Sequence, residues 1–201
     1  MTTLEILENN INERSIEQVV RCLEDGGLIA YPTDTVYALG CDALNNQAIE
    51  RICALKEMKS AKTNLSIICA DIGEVAQYAR FDNQQFRLMK SHLPGPFTFI
   101  FPALSKLPKA FKGRRTVGIR IPRNEIALAI VRTLGRPILT TSVQGADADY
   151  RCEPGLIAET YAATVDIVVD GGRGGLIPST VVDCTGPEPV VTRQGRGELE
   201  I

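Results

Sequence analysis

Short apolar runs that stop at proline or glycine, alternating with segments of helical spacing, limit the fold of this chain more than any other feature. The first run, Leu28-Ile29-Ala30, follows Gly26-Gly27 and leads into Tyr31-Pro32-Thr33-Asp34-Thr35-Val36-Tyr37-Ala38-Leu39-Gly40. Pro32 fixes φ and has no N–H, so a buried strand is expected to end near Tyr31 and hand over to a polar loop. Spacing leaves two readings of that loop open: a capped turn, or a ligand site beyond a strand end. Strand character recurs at 65–70, 97–101, 116–121, 138–142, 165–169, 180–184 and 190–192. Helical spacing marks 14–25, 46–56, 126–134 and 154–161, with shorter helices expected at 71–79 and 83–93. Helices and strands interleave over 201 residues, and some connections are too short for a crossover helix. The expectation is an α+β fold of the α/β-type three-layer kind, with a mixed sheet, as a single domain spanning 1–201 and no additional C-terminal domain.

Composition narrows the function classes. The chain carries 24 acidic against 22 basic residues, so global charge names no partner. No apolar run approaches the ~18–20 residues of a membrane span, and Met1-Thr2-Thr3-Leu4-Glu5 lacks the basic and apolar regions of a signal peptide. The cysteines Cys22, Cys41, Cys53, Cys69, Cys152 and Cys184 form no C-x-x-C pair and read as reduced, buried thiols, which points to a cytoplasmic protein. The single histidine, His92, excludes a histidine metal cluster and reads as a helix-end or surface residue. Gly171-Gly172-Arg173-Gly174-Gly175 fits neither phosphate-loop order and is followed by a strand, so it reads as a flexible connection.

Charge distribution says more than net charge. Between Ala103 and Asn124 there is no acidic residue, while Lys106, Lys109, Lys112, Arg114, Arg115, Arg120 and Arg123 all fall there. Such a field suits phosphates or an RNA backbone; a solvated basic loop is the other reading of Lys106 to Lys112. Arg120 alternates with Ile119 and Ile121 on a strand that Pro122 stops, so its charge needs a carboxylate or phosphate partner. Hydroxyls also collect at strand ends: Thr33, Thr35, Thr116, Thr140, Thr141, Ser142, Ser179 and Thr180. Together with Lys56, Arg120 and Arg193 they describe a cleft of neutral donors and fixed cations. That cleft suits a small zwitterion beside a polyphosphate, and nucleotidyl transfer needs no covalent nucleophile.

Five segments in order carry a resemblance: 31–37, Leu93-Pro94-Gly95-Pro96-Phe97-Thr98, Val117-Gly118-Ile119-Arg120-Ile121-Pro122, Ser179-Thr180-Val181-Val182-Asp183 and Arg193-Gln194-Gly195. The chain is similar to the YrdC-domain family of L-threonylcarbamoyladenylate synthases, from Ile16 to about Gly195. The resemblance implies a YrdC/RibB-like twisted, mixed seven-stranded sheet with flanking helices and a basic concavity. It implies that L-threonine, bicarbonate and ATP give threonylcarbamoyl-AMP and diphosphate, for modification of a tRNA adenosine alongside other proteins of that pathway. Carried over, Thr33, Arg120, Thr140 and Ser179 would hold L-threonine, and Lys56, Thr116, Ser142 and Arg193 would hold ATP. Lys56, Arg120 and Arg193 would be catalytic. Mg²⁺ would accompany ATP, with no protein metal ligands assigned. Double-stranded RNA or tRNA would meet Lys112, Arg114 and Arg115.

The chain departs from the synthase pattern in ways that resemble the YciO-like branch. Lys56-Glu57-Met58 stands where synthases have K-x-R, and Ser142-Val143-Gln144 where they have S-x-N. Ala146-Asp147-Ala148-Asp149 adds carboxylates near the expected phosphates. A nucleotidyltransferase is therefore one expectation, and a catalytically weakened binder of double-stranded RNA or nucleotide is the other.

Overall fold

The structure is a computed structural model that describes residues 1–55, 65–107, 115–145 and 147–200. In chain order, its first half runs β1 (Thr2–Glu5), α1 (Glu13–Glu24), β2 (Ile29–Tyr31), β3 (Ala38–Asp42), α2 (Asn46–Leu55), β4 (Ser66–Ile68), α3 (Ile72–Val75) and α4 (Asn83–His92). The second half runs β5 (Phe97–Pro102), β6 (Thr116–Arg120), α5 (Glu125–Leu134), β7 (Ile138–Ser142), α6 (Asp149–Cys152), α7 (Pro154–Tyr161), β8 (Ile167–Asp170), β9 (Thr180–Asp183) and β10 (Val190–Arg193).

Helix boundaries follow local chemistry. The Asn12 side chain caps α1, and α1 gives way at Asp25 to Gly26 at φ +79°. Asn45 accepts from the Ala48 N–H at the start of α2. Asp82 and Gln85 close a reciprocal capping box on α4. Asn124 caps α5, which ends at Gly135 in the left-handed region. As the sequence implies, His92 ends α4; its Nε2 accepts from the Glu200 N–H and its ring meets the edge of Phe97. None of the helices among the described residues is long and apolar enough to cross a membrane.

All strands join one mixed sheet in the order β1-β8-β2-β3-β7-β4-β6-β5-β9-β10. The expected mixed sheet with flanking helices is present, and among the described residues it has ten strands where the resemblance implies seven. β1 adds parallel to β8 at one edge, and the antiparallel β9–β10 pair extends the other. Two strands escape a pattern-based reading. β1 is mostly exposed and polar, and β3 lies inside the stretch read as a loop. β3 is wholly buried and built of Ala38-Leu39-Gly40-Cys41-Asp42, so it is held by ladders to β2 and β7 rather than by its own propensity.

Strand register separates the two faces of the sheet centre. Cys41, Leu139, Ile67, Ile119 and Phe99 stand abreast across β3, β7, β4, β6 and β5, all fully buried. They belong to the same core as Val19 and Leu23 of α1 and Ile126, Ile130 and Val131 of α5. One position along, the row reads Gly40, Thr140, Ser66, Gly118 and Ile100. The two-residue repeat of a strand thus puts an apolar face beneath the helices and a small, polar face opposite.

No disulfide joins the six cysteines; Cys41, Cys69, Cys152 and Cys184 are buried, and Cys22 and Cys53 are half-buried. Burial, helped by the Asp166 carboxylate, pushes the Cys22 thiol up to about 11, and burial takes Cys184 to about 12. Unfolded thiols ionise near ~8.5, so above that pH the unfolded chain binds fewer protons than the native one and unfolding becomes easier. This contribution to stability is complete below the unfolded value and is lost as pH rises. The urea midpoint is expected to fall between pH 8 and pH 9.5, below the range where tyrosines titrate. A flat midpoint over that interval would contradict it.

Candidate active site

The polar row forms the floor of a cavity of about 330 Å³. Residues two positions along the same strands share its face: Ser142 on β7, Arg120 on β6 and Thr98 on β5. The ladder then carries the wall outward, from Thr98 to Val181 and from Val181 to Arg193. Gly118 keeps the floor open, because a Cβ there would stand 2.3 Å from Ser66 Oγ and 3.1 Å from Thr98 Cγ2. The described lining residues carry two guanidiniums and several hydroxyls, and none is acidic. Such a site favours an anion.

The hydroxyls are oriented, not merely present. Tyr31 is fully buried, and burial raises its pKa beyond the ordinary range, so its phenol stays protonated and donates to Thr140 Oγ at 2.8 Å. Thr140, 5% exposed, is thereby left with its own proton to offer. Ser179 Oγ lies 2.8 Å from Thr98 Oγ1 and accepts from Arg193 Nη2 at 3.2 Å. Arg193 also grips the Ser179 carbonyl, from Nη2 at 2.8 Å and Nε at 3.2 Å. Burial, and then repulsion from Arg120, lower the pKa of Arg193, so the two cations share one region with no carboxylate between them.

Arg120 is 5% exposed and is held from one side. Its Nη2 donates to Asp34 Oδ1 at 3.1 Å and to Thr35 Oγ1 at 3.0 Å. Its Nε is buried and has no hydrogen-bond partner, alone among the described buried side-chain polar atoms. The partner that the sequence demands for this charge is thus supplied in part by Asp34, a residue not singled out as one. Arg120 is also one of the residues that line the cavity.

The turn behind Arg120 has a direction. Arginine only donates, so Thr35 Oγ accepts from it and is free to donate to Thr33 Oγ at 3.0 Å. Thr33 in turn donates to the Val36 carbonyl at 2.7 Å and accepts from the Thr35 N–H at 3.1 Å. The capped-turn reading of this loop is therefore present in full. Thr33 does not line the cavity of Arg120; it lines a neighbouring one of about 460 Å³ with Asp34, Arg123, Arg196 and the glycine segment. Read as a flexible connection, that segment instead packs closely on the turn. A Cβ at Gly171 would meet Pro32 at 2.7 Å, and one at Gly174 would meet the Tyr37 ring at 2.5 Å. Tyr37 ties the two together, donating to the Gly172 carbonyl at 2.8 Å and accepting from the Gly171 N–H at 3.0 Å.

Of the residues expected at the site, Arg120, Thr140, Ser142, Ser179 and Arg193 line one cavity. Thr33 stands behind it, and Thr116, at the start of β6 opposite Pro102, is outside its lining. Lys56, Met58, Lys112 and Arg114 lie outside the described residues, while Arg115 is exposed. Gln144 is exposed and not part of the lining. The added carboxylates do not reach it either. Asp147 accepts from the Asp149 and Tyr150 N–H groups at the head of α6, and Asp149 pairs with Arg173 at 2.7 Å. Ser66, Thr98 and Thr192 are lining residues that the sequence does not single out; register brings in Ser66 and Thr98, and Thr192 lies at the irregularity of β10 between Val191 and Arg193.

Mg²⁺ finds no carboxylate among the described lining residues, so the donor set does not fit a resident divalent ion. Elsewhere, Asp149, Cys152 and Glu153 converge within 4.8 Å, but Arg173 pairs with both carboxylates.

A family profile described as "Telomere recombination", covering Sua5, YciO and YrdC proteins, matches residues 21–195. The chain belongs to the Sua5/YciO/YrdC family. Within this family, the chain is 37% identical over 195 residues to an Escherichia coli protein described as "Uncharacterized protein YciO", covering 96% of this chain and 94% of that one. The crystal structure of E. coli YciO superposes with a TM-score of 0.92 over 100% of this chain and 98% of that one. The threonylcarbamoyl-AMP synthase of Pyrococcus abyssi is 31% identical, covering all of this chain but 59% of its own length. A crystal structure of P. abyssi Sua5 complexed with L-threonine, 30% identical, gives a TM-score of 0.86 over 97% of this chain and 58% of that one.

Proposed function

We propose that the cavity is a nucleotidyltransferase site of the threonylcarbamoyl-AMP synthase type, taking L-threonine, bicarbonate and ATP. The observation that carries this reading is a sheet-centre pocket with two converging guanidiniums, oriented hydroxyls and no carboxylate among its described lining residues. The kinship with synthases at 31–32% identity over nearly the whole chain supports it, as does the relative crystallised with L-threonine.

In this reading Arg120 takes the threonine carboxylate, and Thr140 and Ser179 orient the rest of the molecule. Thr33 acts at one remove, through Thr35 on Arg120. The threonine amine attacks the carbon of bicarbonate, water leaves, and a carbamate forms. A carbamate oxygen then attacks the α-phosphorus of ATP, the bond to the bridging oxygen breaks, and diphosphate departs. Arg193, which lines the same cavity as Ser142, offsets the charge that grows on the phosphates. Lys56 and Thr116 join as nucleotide-holding residues on the strength of the sequence resemblance.

Purified protein supplied with ATP, L-threonine and bicarbonate is expected to release diphosphate in a threonine-dependent way. Equal release with and without threonine would remove the synthase reading.

A further inference from the structure

Arg120 could not hold a fixed orientation on its own. It sits on the last position of β6, 5% exposed, and shares its cavity with a second guanidinium, that of Arg193. A buried guanidinium without a counter-charge costs several kcal/mol in order of magnitude, so what faces it decides its aim. What faces it is Asp34, whose side chain is as buried as that of Arg120, at 8% against 7% exposed. Asp34 is itself fixed twice. Its Oδ2 accepts from the Arg123 N–H at 3.1 Å, and its carbonyl accepts from Arg196. With Thr35 it takes both hydrogen bonds of Arg120 Nη2, which leaves Nε buried without a partner.

We propose that Asp34 is a positioning residue: it holds Arg120 by one nitrogen and so fixes the orientation in which the guanidinium lines the cavity and meets the carboxylate of the ligand. The proposal rests on the synthase-type reading for the identity of that ligand, and on the geometry alone for the hold on Arg120. Asp34 does not touch the substrate. It also does not act as a latch that the ligand must displace, because its second oxygen and its carbonyl anchor it to the segment after β6 and to the C-terminal loop.

The test uses the full chain and Asp34→Asn, which keeps the shape and an oxygen for the Arg123 N–H but removes the charge. Two readouts are needed. The first is the ¹⁵Nε–H resonance of Arg120 in the protein without ligand, assigned by its loss in Arg120→Lys. The second is binding of L-threonine against L-threoninol, which lacks the carboxylate, with ATP binding and thermal unfolding as controls. Expected for Asp34→Asn is loss of the slowly exchanging resonance and a fall of about tenfold or more in the preference for threonine, with ATP binding unchanged. A retained resonance, a retained preference in the folded variant, or tighter threonine binding would each overturn the proposal, the last by making Asp34 a latch. If the resonance is lost in the variant but the wild type itself does not prefer threonine, the hold on Arg120 stands and the ligand assignment falls.

Discussion

Arg120→Ala is expected to abolish threonine-dependent diphosphate release and to destabilise the protein by about 3–5 kcal/mol. Both effects have one origin. The side chains of Arg120 and Asp34 are almost wholly buried, and their contact is 3.1 Å. Removing the cation leaves a largely buried carboxylate with the Arg123 N–H and no other ion pair among the described residues. The same change removes the group that would take the carboxylate of a ligand. Arg120→Lys separates the two effects. An ammonium keeps the charge opposite Asp34, so much of the stability should return. It has no planar fork and no Nε, so activity should stay at least ~100-fold down, the scale seen when one fixed donor is removed from a site of this kind. Urea unfolding and diphosphate release on the two variants measure this. A lysine variant as active as the wild type would show that the fork is not what the site uses.

Arg193→Ala should cost much less stability. Arg193 shares its surroundings with Arg120, and burial and that neighbour both lower its pKa. Its hydrogen bonds to the Ser179 carbonyl and hydroxyl contribute about 1 kcal/mol each, net, and loss of the repulsion offsets part of them. The variant is therefore expected to unfold within ~1–2 kcal/mol of the wild type. Its activity should fall by roughly 10²–10³, because a charge aimed at developing phosphate negativity is lost. A second signature comes from mass action. Inorganic phosphate that binds the native cavity raises the unfolding temperature of the wild type. That rise should shrink in Arg193→Ala. An undiminished rise would place the phosphate elsewhere and count against Arg193 as the phosphate-facing group.

Much of the scaffold is legible in the chain. Apolar positions Ile16, Val19, Val20 and Leu23 mark the buried face of α1, and the asparagine and aspartate caps on α1, α4 and α5 stand where helices begin. Pro32 ends β2 near Tyr31 as its missing N–H requires. The isolated arginine between isoleucines at the end of β6 is legible as a charge in need of a partner, and it lies in the cavity. What escaped were elements held by their neighbours. β3 has two small residues and an aspartate among its five, and no periodic signal separates it from a loop. Ser66 and Thr98 gain meaning only through the residues beside them, Thr140 and Gly118 for the one, Ser179 for the other.

The amino-acid sequence by itself determined the class of fold, the ends of most elements, and the presence of a cation-and-hydroxyl site built at strand ends. Local causes suffice for these: periodicity, caps, proline geometry, and the cost of an unpaired buried charge. The tertiary structure alone decided that Thr33 is saturated within its own turn, that Asp34 is the residue that holds Arg120, and that Asp147 and Asp149 make their bonds elsewhere and do not line the cavity. The hold on Arg120 depends on strand register and on a contact between residues far apart in the chain, Arg120 and Asp34, 86 positions apart. A shift of one residue in register would turn every side chain of a strand to the other face, and a strand such as β3, buried throughout and without alternation, carries no local signal against it.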